Sequence, residues 1–309
     1  MKKFALAAVA AAAMTAGVAQ AYTVGTFSNG LVVPNVIHNG AANTTAVGLI
    51  NQTGNTVGVF WTFFDQNSNH ITDGCFPMTD KQYRGFNWAA NSGVGLEGKR
   101  GYLVFALGAN SGTTTAATAC AAAAATALGT GSLSGNAFYV DVAGKSVAFT
   151  PVIDGPLTIA GNLTTMGPTS LTAAAGAAQV PATSLIAMRY FIDGTVNSGN
   201  DTRIAVWSTG DQRGTHTVNI FNDQQERKSV NFPLAETELS YFDPETIAGR
   251  PAAFLDGFIE WNPSVAPSDR PATGSGGDAA LAAGGSVMSY STIIAPAFGA
   301  VQSLLGAHR

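Results

Sequence analysis

Apolar side chains alternate along Val57, Val59, Trp61 and Phe63, which puts four large groups on one face of a strand. A turn-forming Gln52-Thr53-Gly54-Asn55 precedes this run, and a shorter run, Ala46–Ile50, precedes the turn. Strand-like runs recur at Tyr102–Leu107, Ala137–Val142, Ile204–Trp207, Thr215–Phe221, Gly257–Trp261 and Val287–Ile294. No long segment carries the helical period. Short strands joined by Gly/Asn/Asp turns predict an all-β chain built as antiparallel sandwiches of an Ig-like or fibronectin-like kind. Pro77 and Pro233 are expected at strand ends or on edges, where a missing N–H is tolerated.

The pattern occurs twice. With a shift of 157 residues, Asn43, Thr45, Val47 and Leu49 fall on Asn200, Thr202, Ile204 and Val206, and Trp61, Phe63 and Phe64 fall on Val218, Ile220 and Phe221. After one deletion the shift becomes 156. Phe76-Pro77 then meets Phe232-Pro233, Phe86 meets Phe242, and Gly101 meets Gly257. Identities are few, but the apolar order and spacing agree, so an internal duplication is expected. The domain plan is a first unit over 22–170 and a second over 171–309. Each carries a low-complexity insert: an Ala-rich one at 108–135 and a Gly/Pro/Ala-rich one at 262–285. The Ala run offers a short helix. The connection at 151–182 offers an extra strand near Pro156–Ala160.

The first residues change the picture from a fold to a compartment. Lys2 and Lys3, an apolar run from Phe4, and Ala19-Gln20-Ala21 read as a cleaved signal peptide over 1–21. That predicts export across the inner membrane of a bacterium, to the periplasm, the cell surface or the medium. No later run is long and apolar enough for a transmembrane helix, and the strand-like runs are too irregularly spaced for an outer-membrane barrel. Charged residues are 11% of the chain and the net charge is −4. No basic patch points to nucleic acid. In an exported protein the pair Cys75 and Cys120 predicts one disulfide, pinning the first insert to the sandwich.

Candidate chemistry is sparse. Gly93–Lys99 matches G-x-G-x-x-G, but a strand follows where nucleotide binding needs a helix. His38, His70, His216 and His308 are scattered, without zinc-ligand spacing, and no G-x-S-x-G is present. Asp65, Asn67, Asn69 and Asp73 in Phe64-Asp-Gln-Asn-Ser-Asn-His-Ile-Thr-Asp-Gly74 resemble a calcium loop, yet Phe76 stands where the bidentate Glu belongs. The stretch reads as an Asn/Asp-rich turn, with a weak calcium site as the alternative and no other cofactor. Trp88, in a polar stretch, and Tyr83 are the candidate exposed aromatics for stacking on sugar rings. Trp61 is expected in the core. The apolar end, Ser291–Arg309, offers an assembly surface.

These features point to a non-enzymatic secreted or cell-surface protein. Its expected work is adhesion, surface or matrix structure, or assembly through sandwich loops and edges. Its expected partners are copies of itself or other surface proteins. A glycan-binding module is the alternative, and an exported hydrolase is third.

Overall fold

The computed structural model describes residues 25–110, 114–174, 185–192, 202–271, 285–295 and 300–308. The signal-peptide reading and most of the second insert lie outside these residues. Nine strands build the first sandwich: β1 (Gly30–Asn39), β2 (Asn43–Asn51), β3 (Val57–Asp65), β4 (His70–Met78), β5 (Tyr83–Asn87), β6 (Arg100–Leu107), β7 (Leu133–Asp141), β8 (Ser146–Thr150) and β9 (Ile153–Asp154). One sheet runs β4-β3-β6-β1-β9 and the other β5-β2-β7-β8. A short β1–β2 pairing joins them at one end.

A hairpin of β10 (Leu157–Ile159) and β11 (Leu171–Ala174) follows, close to the extra strand expected near Pro156. The second sandwich comprises β12 (Ile186–Phe191), β13 (Thr202–Ser208), β14 (Gly214–Asn222), β15 (Arg227–Leu234), β16 (Leu239–Phe242), β17 (Asp256–Trp261), β18 (Val287–Ala295), β19 (Ala300–Leu305) and β20 (Ala307–His308). Its sheets run β15-β14-β17-β12-β20 and β16-β13-β18-β19. The strand order of the first unit is therefore repeated in the second, strand for strand.

The register repeats as well. Val47 pairs with Phe86, and Ile204 with Phe242. Val59 pairs with Phe76, and His216 with Phe232. Asp65 pairs with Gly101, and Asn222 with Gly257. In each case both partners move by the shifts read from the sequence. Pro77 and Pro233 lie on the edge strands β4 and β15, where no further neighbour needs their missing N–H.

The sheets are antiparallel and packed as sandwiches, but the strand order is not the immunoglobulin one. There the first strand pairs with the second and the seventh with the sixth. Here β1 pairs with β6 and β7 with β2, so these two strands have exchanged sheets. Alternation dictates which face a strand buries, not which strand lies beside it.

Each sandwich has its own core. Leu31, Val47, Leu49, Val59, Trp61, Phe63, Phe86, Trp88 and Phe105 fill the first, and Met188, Tyr190, Ile204, Val206, Ile220, Phe232 and Trp261 fill the second. A third apolar cluster covers the outer face of β3 and β6. It joins Phe60, Phe64, Tyr102 and Val104 to Leu163, Met166 and Leu171 of the connection and to Trp207, Leu239 and Met288 of the second unit. The two units thus pack sheet against sheet.

The Ala-rich insert lies on the same outer face. Among its described residues the helix is one 3-10 turn, Ala122–Ala124. An alanine run of this length cannot hold a longer helix without packing. Cys75 on β4 and Cys120 in the insert form a disulfide. Gly58 admits the insert to the sheet, because a Cβ there would clash with the Ala119 carbonyl oxygen.

Candidate functional site

The turn after β3 does not form a calcium cage. Asp65 Oδ1 accepts the backbone N–H groups of Asn67 and Asn69, both at 2.9 Å, and the Asn69 amide spans both carboxylate oxygens. The Asn67 side-chain oxygen accepts from the Thr237 N–H, at 3.1 Å, and from its hydroxyl. Asp73 faces His70 at 3.1 Å. Asp65 and Asn69 are thus paired with each other, while Asn67 turns to Thr237 and Asp73 to His70. Among the described residues no group of three or more His, Cys, Asp or Glu side chains is placed to hold a metal. The loop is an Asx turn, as the Asn/Asp spacing also allows. The same geometry recurs after β14, where Asn222 Oδ1 accepts from the N–H groups of Gln224 and Glu226. Ser68 and Gln225, one step later in each turn, both have positive φ, at 60° and 65°.

The first turn docks on the second unit. The Gln66 carbonyl accepts the N–H groups of Glu238 and Leu239, and its amide donates to the Leu239 carbonyl at 3.1 Å. Behind these bonds Ser68, Tyr102 and Glu238 form a buried polar cluster. The Ser68 and Tyr102 oxygens are 2.9 Å apart, and both hydroxyls hydrogen-bond to Glu238. Burial pushes the Glu238 carboxyl up to about 7, against the pull of those two hydrogen bonds. Burial also pushes the Tyr102 phenol well up, and the facing carboxylates Glu238 and Asp65 add to the shift.

Further along the seam, Asn35 bridges the units. Its amide donates to the Tyr290 hydroxyl at 2.8 Å, and its oxygen accepts from Arg100. The Arg100 guanidinium lies 3.7 Å from the Tyr241 ring centre, a cation–π contact between units. The small cavity here is lined by Asn35, Arg100, Tyr139, Tyr241 and Tyr290, and Asn35, Arg100 and Tyr290 are paired with one another while Arg100 also stacks on Tyr241.

Trp88, expected as an exposed platform, is fully buried at 0% exposure. Asn87 caps a single helical turn, α1 (Trp88–Asn91), and that turn swings the indole inward. There Trp88 meets Trp61 edge-on at 6.0 Å and tilts over Phe63 at 4.6 Å. The polar residues around it signalled a cap, not exposure. Trp61 is buried as expected. Tyr83 is exposed, at 66%, and its ring lies over Gly48, where a Cβ would come within 2.9 Å of it.

His216 is buried on the inner face of its strand. Its Nδ1 accepts from the Trp261 indole at 3.2 Å, so Nε2 carries the proton and donates to the Gln212 carbonyl at 2.9 Å. Burial holds its pKa below the usual histidine value. Asp243 and Asp256 form ion pairs with Arg203 and Arg189, and no pair of carboxylates faces across a cleft in these contacts.

One feature carried no signal in either half alone. Phe64 stacks on Tyr102 at 5.1 Å, and their counterparts Phe221 and Phe258 stack at 4.7 Å. The first pair is buried in the seam, under Trp207. The second lies on the outer face of β14 and β17, with Phe258 37% exposed.

No protein-family model matches the chain, and no curated protein matches its sequence. Solved structures of Bacillus subtilis oxalate decarboxylase are similar at 10% identity and a TM-score of 0.16, over 75% of this chain and 62% of that one. A further form gives a TM-score of 0.17. The chain spans less than two thirds of those proteins, and likeness at this level carries no argument.

Proposed function

We propose that the protein is a non-enzymatic, exported surface or matrix component that works by assembling through its sheet faces and edges. One observation carries this reading. The side chains that resembled chemistry are consumed in turns, ion pairs and the seam, while exposed aromatic groups lie on outer sheet faces. Tyr83 and Phe138 mark one such face, and Phe258, stacked on half-buried Phe221, marks another. Exposed apolar faces and unpaired edges invite another chain. The disulfide supports export, since such bonds persist outside the reducing cytosol. Among the described residues no helix is long and apolar enough to cross a membrane. The matched strand order and register support descent of the two units from one ancestor.

The test is sedimentation velocity of the chain from Tyr22 onward over a concentration series. Growth of large species with concentration supports assembly, and an unchanging monomer peak at high concentration overturns it. Glycan binding is the second reading, favoured by the flat, exposed ring of Tyr83. It predicts retention on polysaccharide that Tyr83→Ala abolishes in the monomer.

A further inference from the structure

The seam between the units leaves both of its halves repeated and unused. In the seam, the outer face of β3 and β6, with Phe64 and Tyr102, receives Trp207, Leu239 and Met288 from the outer face of β13, β16 and β18. The second unit carries the same receiving face in Phe221 and Phe258, stacked alike, with Phe221 half-buried and Phe258 exposed. The first unit carries the same inserting face. By strand register, half-buried Ile50 stands where Trp207 does, exposed Tyr83 where Leu239 does, and buried Ser134 where Met288 does.

We propose that copies of this chain join head to tail by reusing the seam: the Phe221/Phe258 face of one copy receives the Ile50/Tyr83 face of the next. This rests on the assembly reading above and names its partner as a second copy. The contact is heterologous, so each addition leaves a free face at either end and an open fibre can grow.

The polar half of the seam supports the same pairing. In the seam the turn Gln66-Asn67-Ser68 docks on Thr237–Leu239. Its counterpart, Asp223-Gln224-Gln225, is exposed and has the same Asx geometry. The counterpart of Thr237–Leu239 is Lys81-Gln82-Tyr83, in which Lys81 and Tyr83 are exposed. Thus the intermolecular version sets the acidic Asp223 and Glu226 against Lys81, a charge pairing the internal seam lacks. Such complementarity selects register and orientation more than it adds affinity. Gly85 stands where the seam has Tyr241, and a Cβ there would meet nothing within 4 Å, which leaves room beside Tyr83 for Phe258.

The experiment uses the chain from Tyr22 onward, its variants Phe258→Glu and Tyr83→Glu, and sedimentation velocity. Each variant loses one end and is expected to raise the concentration for half-association at least about tenfold. An equimolar mixture of the two is expected to stop at a dimer, because each supplies the face the other lacks. Assembly of both variants like the parent overturns the head-to-tail contact but leaves the assembly reading standing. A mixture that stays monomeric also overturns the contact. A parent chain that never assembles overturns both. Charge reversal guards against misfolding: Asp223→Lys and Lys81→Asp each weaken association, and the double reversal restores it. Absence of that rescue counts against the proposed register.

Discussion

Tyr102 of the first unit and Trp207 of the second meet edge to face, their ring centroids 5.8 Å apart. Around that contact the two sandwiches share an apolar cluster that belongs to neither core. Trp207 is therefore a seam residue. Trp207→Ala should cost about 3–5 kcal/mol of stability, the usual loss for a buried large aromatic. It should also lower the cooperativity between units. Denaturant unfolding followed by fluorescence would show two transitions in place of one.

Glu238 gives the seam a pH dependence. Its carboxyl is raised by burial from 4.5 to about 7. A raised acid keeps its proton in the folded state while the unfolded chain ionises. Its favourable contribution is thus full below about pH 4.5 and is lost as pH rises to about 7. The shift corresponds to about 3 kcal/mol. The groups facing it are Tyr102, Ser68 and, through Tyr102, Asp65. Urea unfolding between these two pH values should show the parent losing stability relative to Glu238→Gln. Parallel curves for the two proteins would contradict the assignment.

The disulfide closes a loop with a sequence separation of 45. Replacing Cys75 and Cys120 by Ala should cost about 4 kcal/mol through the restored freedom of the unfolded chain. The melting temperature of the double variant measures it. Near-equal melting of the two proteins would mean that packing of Ala119 against Gly58 holds the insert without the bond.

Trp88→Ala should destabilise by about 3–5 kcal/mol, because the indole is a core group. It should not alter retention of the folded protein on polysaccharide. In the same spirit, calcium should leave the melting temperature unchanged, since the oxygens of Asp65 and Asn67 are already engaged. Asp65→Ala should cost about 1–3 kcal/mol by orphaning the two N–H groups that it binds.

The sequence carried the strands and their register well, for a physical reason. Alternation fixes the buried face, and a one-residue slip would expose Val59 or His216, so the shifts that align the apolar positions also align cross-strand partners. Strand neighbourhood was not legible, because exchanging β1 and β7 between sheets leaves every alternation intact. The site was read less well. Trp88 lies among polar residues that cap a turn, and only the turn's direction reveals its burial. Asn67 reads as a calcium ligand or a turn residue, and Gln66 as a turn residue. Their partners, Thr237 and Leu239, are some 170 positions away, and nothing local announces them. The outer-face stack of half-buried Phe221 and exposed Phe258 could have been found from the repeat, by asking what covers the counterpart of each buried pair.

The most direct test of the account is zero-length cross-linking of the assembled chain, made from equal parts of isotopically light and heavy protein. Carbodiimide joins an amine to a carboxylate in contact, and mixed-isotope products report links between copies. Reuse of the seam predicts mixed-isotope links from Lys81 to Asp223 or Glu226. An assembled chain whose mixed-isotope links lie elsewhere, with none at Lys81, would contradict it.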